Sequence, residues 1–200
     1  VGKDIPVTVR MGGSDFVPGS NTNKEACRIA AMLEQAGADG ISVTGGWHES
    51  GGPQVTMDLP HGVFSYLGRN IRRSVSIPVM MGNRMNARTA EELVERGDVD
   101  FAVFGRPLLA DPELPRKASE GRVEDIRPCV GCNQGCLDHS MSGKSIECLC
   151  NAECGRESLL RDENGLLPTE KKTDHPKKIL VIGAGVAGME FSRVASLRGH

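Results

Sequence analysis

The sequence has little net charge, few aromatic residues and no long apolar run. Its formal net charge is −2 and it holds no extended Lys/Arg block, which argues against a dedicated nucleic-acid binder. No stretch approaches the roughly 18 consecutive apolar residues of a membrane span. Val1-Gly2-Lys3-Asp4 is neither a starting Met nor the opening of a signal peptide. Without an export signal, the expected location is cytoplasmic, where a disulfide framework is not expected. The chain stops at His200, inside a motif that needs more sequence, so a fragment cut at both ends is expected. Aromatics are only 4%, with one Trp and one Tyr, yet 38% apolar residues suffice for a packed core.

Glycine and cysteine are plentiful. The 25 glycines suit tight turns and close backbone approach to a ligand. Of seven cysteines, six lie between Cys129 and Cys154. Clustered cysteines in a cytosolic chain more often bind metal or do redox chemistry than form disulfides. Cys27 stands apart in a helical pattern and reads as a small core residue.

Residues 1–110 alternate short apolar runs with amphipathic stretches. Ile5 to Met11, Asp39 to Thr44, Ile77 to Met81 and Val99 to Phe104 read as strands. Asn23 to Ala36 reads as a helix, with a Thr22/Glu25 capping box and Gly37 as its stop. Leu59 to Val75 reads as a second helix, and Ala87 to Arg96 as a third, capped by Asn86. Strand–helix alternation of this kind predicts parallel βαβ units. A doubly wound sheet and a (β/α)₈ barrel both fit. In either, chemistry gathers at the C-terminal strand ends.

Those ends carry Arg10, then Thr44-Gly45-Gly46-Trp47-His48-Glu49, then Gly82-Asn83-Arg84, then Gly105-Arg106. Arginines gathered at one rim predict an anionic or phosphate-bearing ligand. Taken one at a time they read as surface arginines, and His48 alone reads as a solvated loop histidine. After Gly105 the pattern breaks, and Asp111 to Leu114 opens a short helix that Gly121 ends. Lys171 to Pro176 reads as a linker, and Lys178 to Ile182 as the first strand of a new domain.

The cysteines are spaced Cys129-x₂-Cys132-x₃-Cys136-x₁₁-Cys148. Three close thiols can wrap one face of a cluster and a distant fourth can close it. Thiolates are the soft ligands that iron–sulfur clusters need. Zinc is the rival metal, but its ribbons usually pair two C-x₂-C knuckles, and a second one is missing here. Cys148 is the preferred fourth ligand, with Cys150 and Cys154 as further thiols. The apolar run Ile179 to Ile182 leads into Gly183-Ala184-Gly185-Val186-Ala187-Gly188, a G-x-G-x-x-G that opens an amphipathic stretch. In that context Gly183 makes the turn, Gly185 admits a pyrophosphate and Gly188 allows close packing.

The chain resembles the 2,4-dienoyl-CoA reductase branch of the old yellow enzyme superfamily, which also holds enoate reductases and trimethylamine dehydrogenase. The likeness rests on Val9-Arg10, Gly46-Trp47-His48-Glu49, Asn83-Arg84, Gly105-Arg106-Pro107, Asp111-Pro112, Cys129 to Cys136 and the Gly183 loop. It implies the C-terminal half of an FMN-binding TIM barrel at residues 1–121. A 4Fe–4S loop and linker would follow at 122–176, and the start of a Rossmann-like FAD/NAD(P)-binding domain at 177–200. Arg10 matches an arginine at the flavin pyrimidine edge. Asn83-Arg84 and Gly105-Arg106 match the FMN phosphate site, and His48 a histidine that assists proton delivery. The resemblance implies electrons passing from NAD(P)H through FAD, the 4Fe–4S cluster and FMN to a small unsaturated acyl substrate, such as a CoA thioester. It is compatible with a homo-oligomer. An amine dehydrogenase of the same architecture is the near alternative, and a non-catalytic zinc-stabilised module the distant one. The loop Ser50 to Val55 departs from the dienoyl-CoA reductase pattern, and Asn151-Ala152 stands where Asn-Pro is commoner.

Overall fold

The structure is a computed structural model. It describes residues 4–47, 49–51, 56–160, 162–164, 166–167 and 171–200. The chain divides into two compact units, 1–152 and 153–200.

The first unit opens on strand β1 (Thr8–Gly12), then helix α1 (Asn23–Gln35), β2 (Gly40–Thr44), α2 (Ser65–Arg72), β3 (Val79–Met81), α3 (Ala87–Glu95) and β4 (Phe101–Ala102). Helices α4 (Arg106–Ala110), α5 (Leu114–Ser119) and α6 (Leu137–Met141) follow. The four strands are parallel and ordered β1-β2-β3-β4. Each half of a standard doubly wound sheet runs through only three sequence-consecutive neighbours before its order reverses. Four in a row without reversal favour the barrel arrangement.

The register divides the sheet into two faces. Ile41, Val43, Val79 and Met81 are buried and pack with Leu67, Ile71 and Leu93 of the helical layer and with Val99, just before β4. Arg10, Ser42, Met80 and Phe101 stand side by side in the alternate row. Phe101 in that row is 56% exposed. In a barrel this second row faces the interior.

Helix starts follow the expected chemistry. Thr22 accepts from the Glu25 amide while the Glu25 carboxylate accepts from Thr22 N–H at 2.7 Å. The Asn86 side chain accepts from Thr89 N–H at 2.8 Å. The expected helix over Leu59–Val75 is shorter, starting only at Ser65. Gly62 adopts φ +69°, and a Cβ there would lie 2.5 Å from the Thr89 methyl. That left-handed residue stops a helix from running through residues 59–64.

The second unit holds α7 (Glu157–Leu160) and α8 (Val186–Leu197). The expected strand over Lys178–Ile182 is absent there: no described residue forms a ladder with it, and Leu180 and Ile182 are 86% and 92% exposed. An apolar run becomes a strand only when a neighbour takes its backbone hydrogen bonds. The glycine turn itself is formed. Gly183 has φ +110°, Gly185 caps α8, and a Cβ at Gly188 would fall 2.1 Å from the Gly183 carbonyl oxygen. Only glycine fits at 188. Among the described residues, no helix is long and apolar enough to cross a membrane.

Candidate functional site

The C-terminal ends of β1 to β4 and the segment after α5 enclose a cleft of about 670 Å³. Among the described residues, five arginines line it, Arg10, Arg84, Arg88, Arg106 and Arg127, and none of the lining residues is acidic. Asn83 and Gly105 line it too, so every barrel-side cofactor residue expected from sequence meets here. His48 lies outside the described residues. A cleft walled by guanidinium groups without carboxylates favours an anionic, bidentate ligand such as phosphate. The start of α3 at Asn86-Ala87 adds its amides to the same wall.

The loop after β3 is strained. Asn83 and Arg84 adopt φ +64° and +49° in succession. Left-handed conformations cost non-glycine residues energy, so the surroundings must hold them. The Asn83 side-chain oxygen accepts from the Thr44 hydroxyl at 2.8 Å and from the Gly45 amide at 3.2 Å. Arg84 Nε donates to the Leu59 carbonyl at 3.0 Å. These bonds tie the loop after β3 to the end of β2 and to the turn before α2.

Arg84 also shapes its neighbours' titration. Partial burial, with help from the Arg84 charge, holds the His61 pKa below the usual imidazole value. His61 is thus neutral near pH 7 and can accept a proton or a hydrogen bond at the cleft wall. Sequence reasoning missed it because residues 59–64 read as helix.

A smaller lobe of about 20 Å³ opens beside the cleft. Cys129, Cys132, Cys136 and Cys148 line it, together with Cys150. None of the cysteines is in a disulfide. Among the described residues no three His, Cys, Asp or Glu side chains converge on a single-ion site. Five thiols thus share the lining of one lobe. Gly131, at φ +73°, lets the chain pass under Arg84; a Cβ there would sit 2.7 Å from the guanidinium. Burial, reinforced by the charge of Cys148, pushes the Cys150 thiol pKa up. Arg106 and Cys129 belong to both the cleft and the lobe, so the two spaces adjoin.

A polar network holds the cysteine segment in place. Asp111, fully buried, accepts from Lys117 Nζ at 2.6 Å and from the Arg127 amide at 2.8 Å. Burial pushes the Asp111 pKa up, but the Lys117 ammonium and the Arg127 amide outweigh it, and the pKa falls below the usual carboxylate value. The Arg127 guanidinium donates to Asn151 Oδ1 at 2.9 Å, and Asn151 Nδ2 donates to the Leu109 carbonyl at 2.9 Å. Arg106 donates to Asn133 Oδ1 at 2.6 Å. Arg127 was not singled out from sequence. Its position two residues before Cys129 was the available signal.

Comparison with known proteins bears on this geometry. A family described as NADH:flavin oxidoreductase / NADH oxidase matches residues 1–125. A metal reductase of Desulforamulus reducens is 53% identical over the whole chain, which spans 29% of that protein. The structure of a 2-naphthoyl-CoA reductase in complex with 2-naphthoyl-CoA superposes on 100% of the chain, at 37% identity and a TM-score of 0.89. The chain covers 30% of that protein. A histamine dehydrogenase from Rhizobium sp. 4-9 superposes on 98%, at 31% identity and a TM-score of 0.82, with 28% of its own length covered. The chain therefore spans less than a third of the length of each of these relatives.

Proposed function

The chain belongs to the NADH:flavin oxidoreductase / NADH oxidase family, and we propose that it supplies the flavin phosphate site and the cluster ligands of an enzyme that reduces an activated C=C bond. One observation carries this reading. Among the described residues, a cleft lined by five arginines and no carboxylate adjoins a five-thiol lobe through Arg106 and Cys129.

In this reading Arg84 and Arg106 hold the FMN phosphate, with Asn83 and Gly105 shaping the loops that present them. Arg10 stands at the flavin pyrimidine edge, where a cation favours negative charge on the ring. Cys129, Cys132, Cys136 and Cys148 hold a 4Fe–4S cluster, for which soft, undisulfided thiols around one lobe are suitable donors. Gly183, Gly185 and Gly188 admit the pyrophosphate of FAD or NAD(P)H in the second unit. When bound, these groups would supply the redox chemistry, an electron route from NAD(P)H to the alkene by way of FAD, the cluster and FMN. His48 would supply the proton for the neighbouring carbon, imidazole being a common general acid. The thiols require a reducing compartment, so a cytoplasmic location belongs to the same reading. The naphthoyl-CoA reductase likeness supports an acyl-CoA thioester as the substrate class.

The test is anaerobic purification of the full-length protein. FMN, iron and sulfide should co-purify, and NAD(P)H should be consumed one-for-one with reduction of an α,β-unsaturated acyl thioester. Zinc without iron or sulfide would overturn the reading. His48→Ala should slow turnover while FMN stays bound; unchanged turnover removes His48 from the mechanism. The histamine dehydrogenase likeness supports a second reading, an amine dehydrogenase passing electrons outward to a carrier protein. Flavin reduction by an amine, with no alkene reduction by NAD(P)H, would favour it.

A further inference from the structure

We propose that two thiols, Cys148 and Cys150, share the fourth ligand position of the cluster, so that either can hold the last iron. The proposal rests on the cluster reading above. It concerns a choice that cysteine spacing leaves open, since Cys148 and Cys150 both follow the first three ligands at a distance.

Both thiols line the same lobe as Cys129, Cys132 and Cys136. Leu149, between them, is 66% exposed. Cys150 shares that lining with Cys129, Val130 and Cys132. The lobe thus brings Cys150 together with the Cys129–Cys132 loop, where the other ligands sit. A cluster of this type takes four cysteine ligands, and the lobe offers five.

The backbone carrying the two thiols is locked at both ends. On one side Glu147 N–H donates to the Gly135 carbonyl at 2.6 Å, and a Cβ at Gly135 would lie 2.7 Å from the Glu147 oxygen. On the other, buried Asn151 is held by Arg127 and Leu109, and Arg127 also donates to the Cys150 carbonyl at 3.3 Å. The Asn151 amide closes the turn onto the Cys148 carbonyl at 3.3 Å. Exchange of ligand then needs side-chain rotation alone, with the loop staying in place. Both ligands are cysteine thiolates, so the iron sees the same donor atom in either state.

The experiment compares Cys148→Ala, Cys150→Ala and the double variant in the full-length protein, purified anaerobically. Iron and acid-labile sulfide per bound FMN are measured, with the EPR signal of the dithionite-reduced cluster. Bound FMN reports that each variant has folded. Each single variant should keep the wild-type iron-to-FMN ratio and a four-iron signal, with the signal shifted in Cys148→Ala. The double variant should lose that signal. Loss of the four-iron signal in Cys148→Ala equal to that in the double variant would overturn the proposal. Retention of the signal in the double variant would overturn it as well, by placing the fourth ligand elsewhere. If the double variant does not accumulate, Cys148→Ala decides through a second comparison: its signal should survive the added change Cys154→Ala, and loss on that change overturns the proposal. Wild-type protein that binds FMN but no iron would instead remove the cluster reading itself.

Discussion

The sheet segment and the cysteine segment of the first unit are held by different forces. Residues 8–102 are organised by apolar burial, with Ile41, Leu67, Ile71, Met81 and Val99 almost wholly removed from water. Residues 126–151 have one short helix, α6, no strand and no buried large aliphatic side chain. Their fixed points are polar: Asp111 on Lys117 and on the Arg127 amide, Arg127 on Asn151, and Asn151 on the Leu109 carbonyl. Burial is tolerant of which apolar neighbour it meets. A buried hydrogen bond is not, because a lost partner leaves a desolvated group unsatisfied. A loop that must hold thiols in a set arrangement gains more from the second kind of constraint.

The sharpest way to break this contrast is to damage the apolar side. Leu67 is fully buried, and it touches the space over Gly13 and Gly45, where an added Cβ would lie 2.8 and 3.1 Å from its side chain. Leu67→Ala opens a cavity under two strand ends that cannot collapse freely. It should cost about 3–4 kcal/mol, read as a fall in the urea midpoint of the full-length protein. FMN should be lost with it, because Gly45 anchors the loop bearing Asn83.

Next in size is the polar side. Asp111→Ala strands the Lys117 ammonium, whose side chain is only 17% exposed, and orphans the Arg127 amide. The expected cost is about 3 kcal/mol. The loss should fall on the cysteine segment, seen as faster amide exchange at residues 126–151 than in the sheet. The same ion pair sets a pH dependence. Because the folded pKa of Asp111 lies below its ordinary value, its contribution is complete above about pH 4. It is lost as pH falls from there through the folded pKa. Asp111→Asn should flatten the acid limb of a stability profile; an unchanged limb would assign it to other carboxylates.

The two regions also differ in how much of them can be read from sequence. The helix of α1, its Thr22/Glu25 box and the Asn86 cap are local patterns, and they appear where periodicity and capping place them. Choosing between barrel and doubly wound sheet needed strand order, a property of distant pairings such as Val9 with Ile41 and Ile41 with Val79. The helix over 59–75 was overdrawn because apolar spacing does not reveal that Gly62 must be left-handed against Thr89. Cysteine spacing singled out residues 129–148, and four of those thiols line one lobe. The clamps around them pair Asp111 with Arg127 and Leu109 with Asn151, and no local pattern brings such partners together.

Arg127 offers a smaller but more selective probe, since it lines the cleft and also grips the turn beside Cys150. Arg127→Ala removes the donor to Asn151 and should cost about 1–2 kcal/mol. It should lower iron per FMN and also weaken FMN retention. Arg127→Lys keeps the charge but lacks the planar fork that reaches Asn151 and the Cys150 carbonyl together. It should restore FMN retention more fully than iron. Equal recovery of both would mean that charge alone, rather than the two-pronged contact, matters at this position.

The smallest expected effect tests whether the two regions are separable at all. The Thr22 side chain accepts from the Glu25 amide at the start of α1, and the exposed Thr22 amide and hydroxyl return bonds to the Glu25 carboxylate at 2.7 Å. Thr22→Ala removes the acceptor from an otherwise intact helix start, and should cost about 1 kcal/mol. The cap lies on the helical layer and belongs to neither the arginine cleft nor the thiol lobe. A loss confined to apolar packing should therefore lower the denaturation midpoint while iron per FMN and the cluster signal stay at wild-type values. A fall in iron content with Thr22→Ala would show that strain in the sheet segment reaches the cysteine turn, and that its polar clamps do not insulate it.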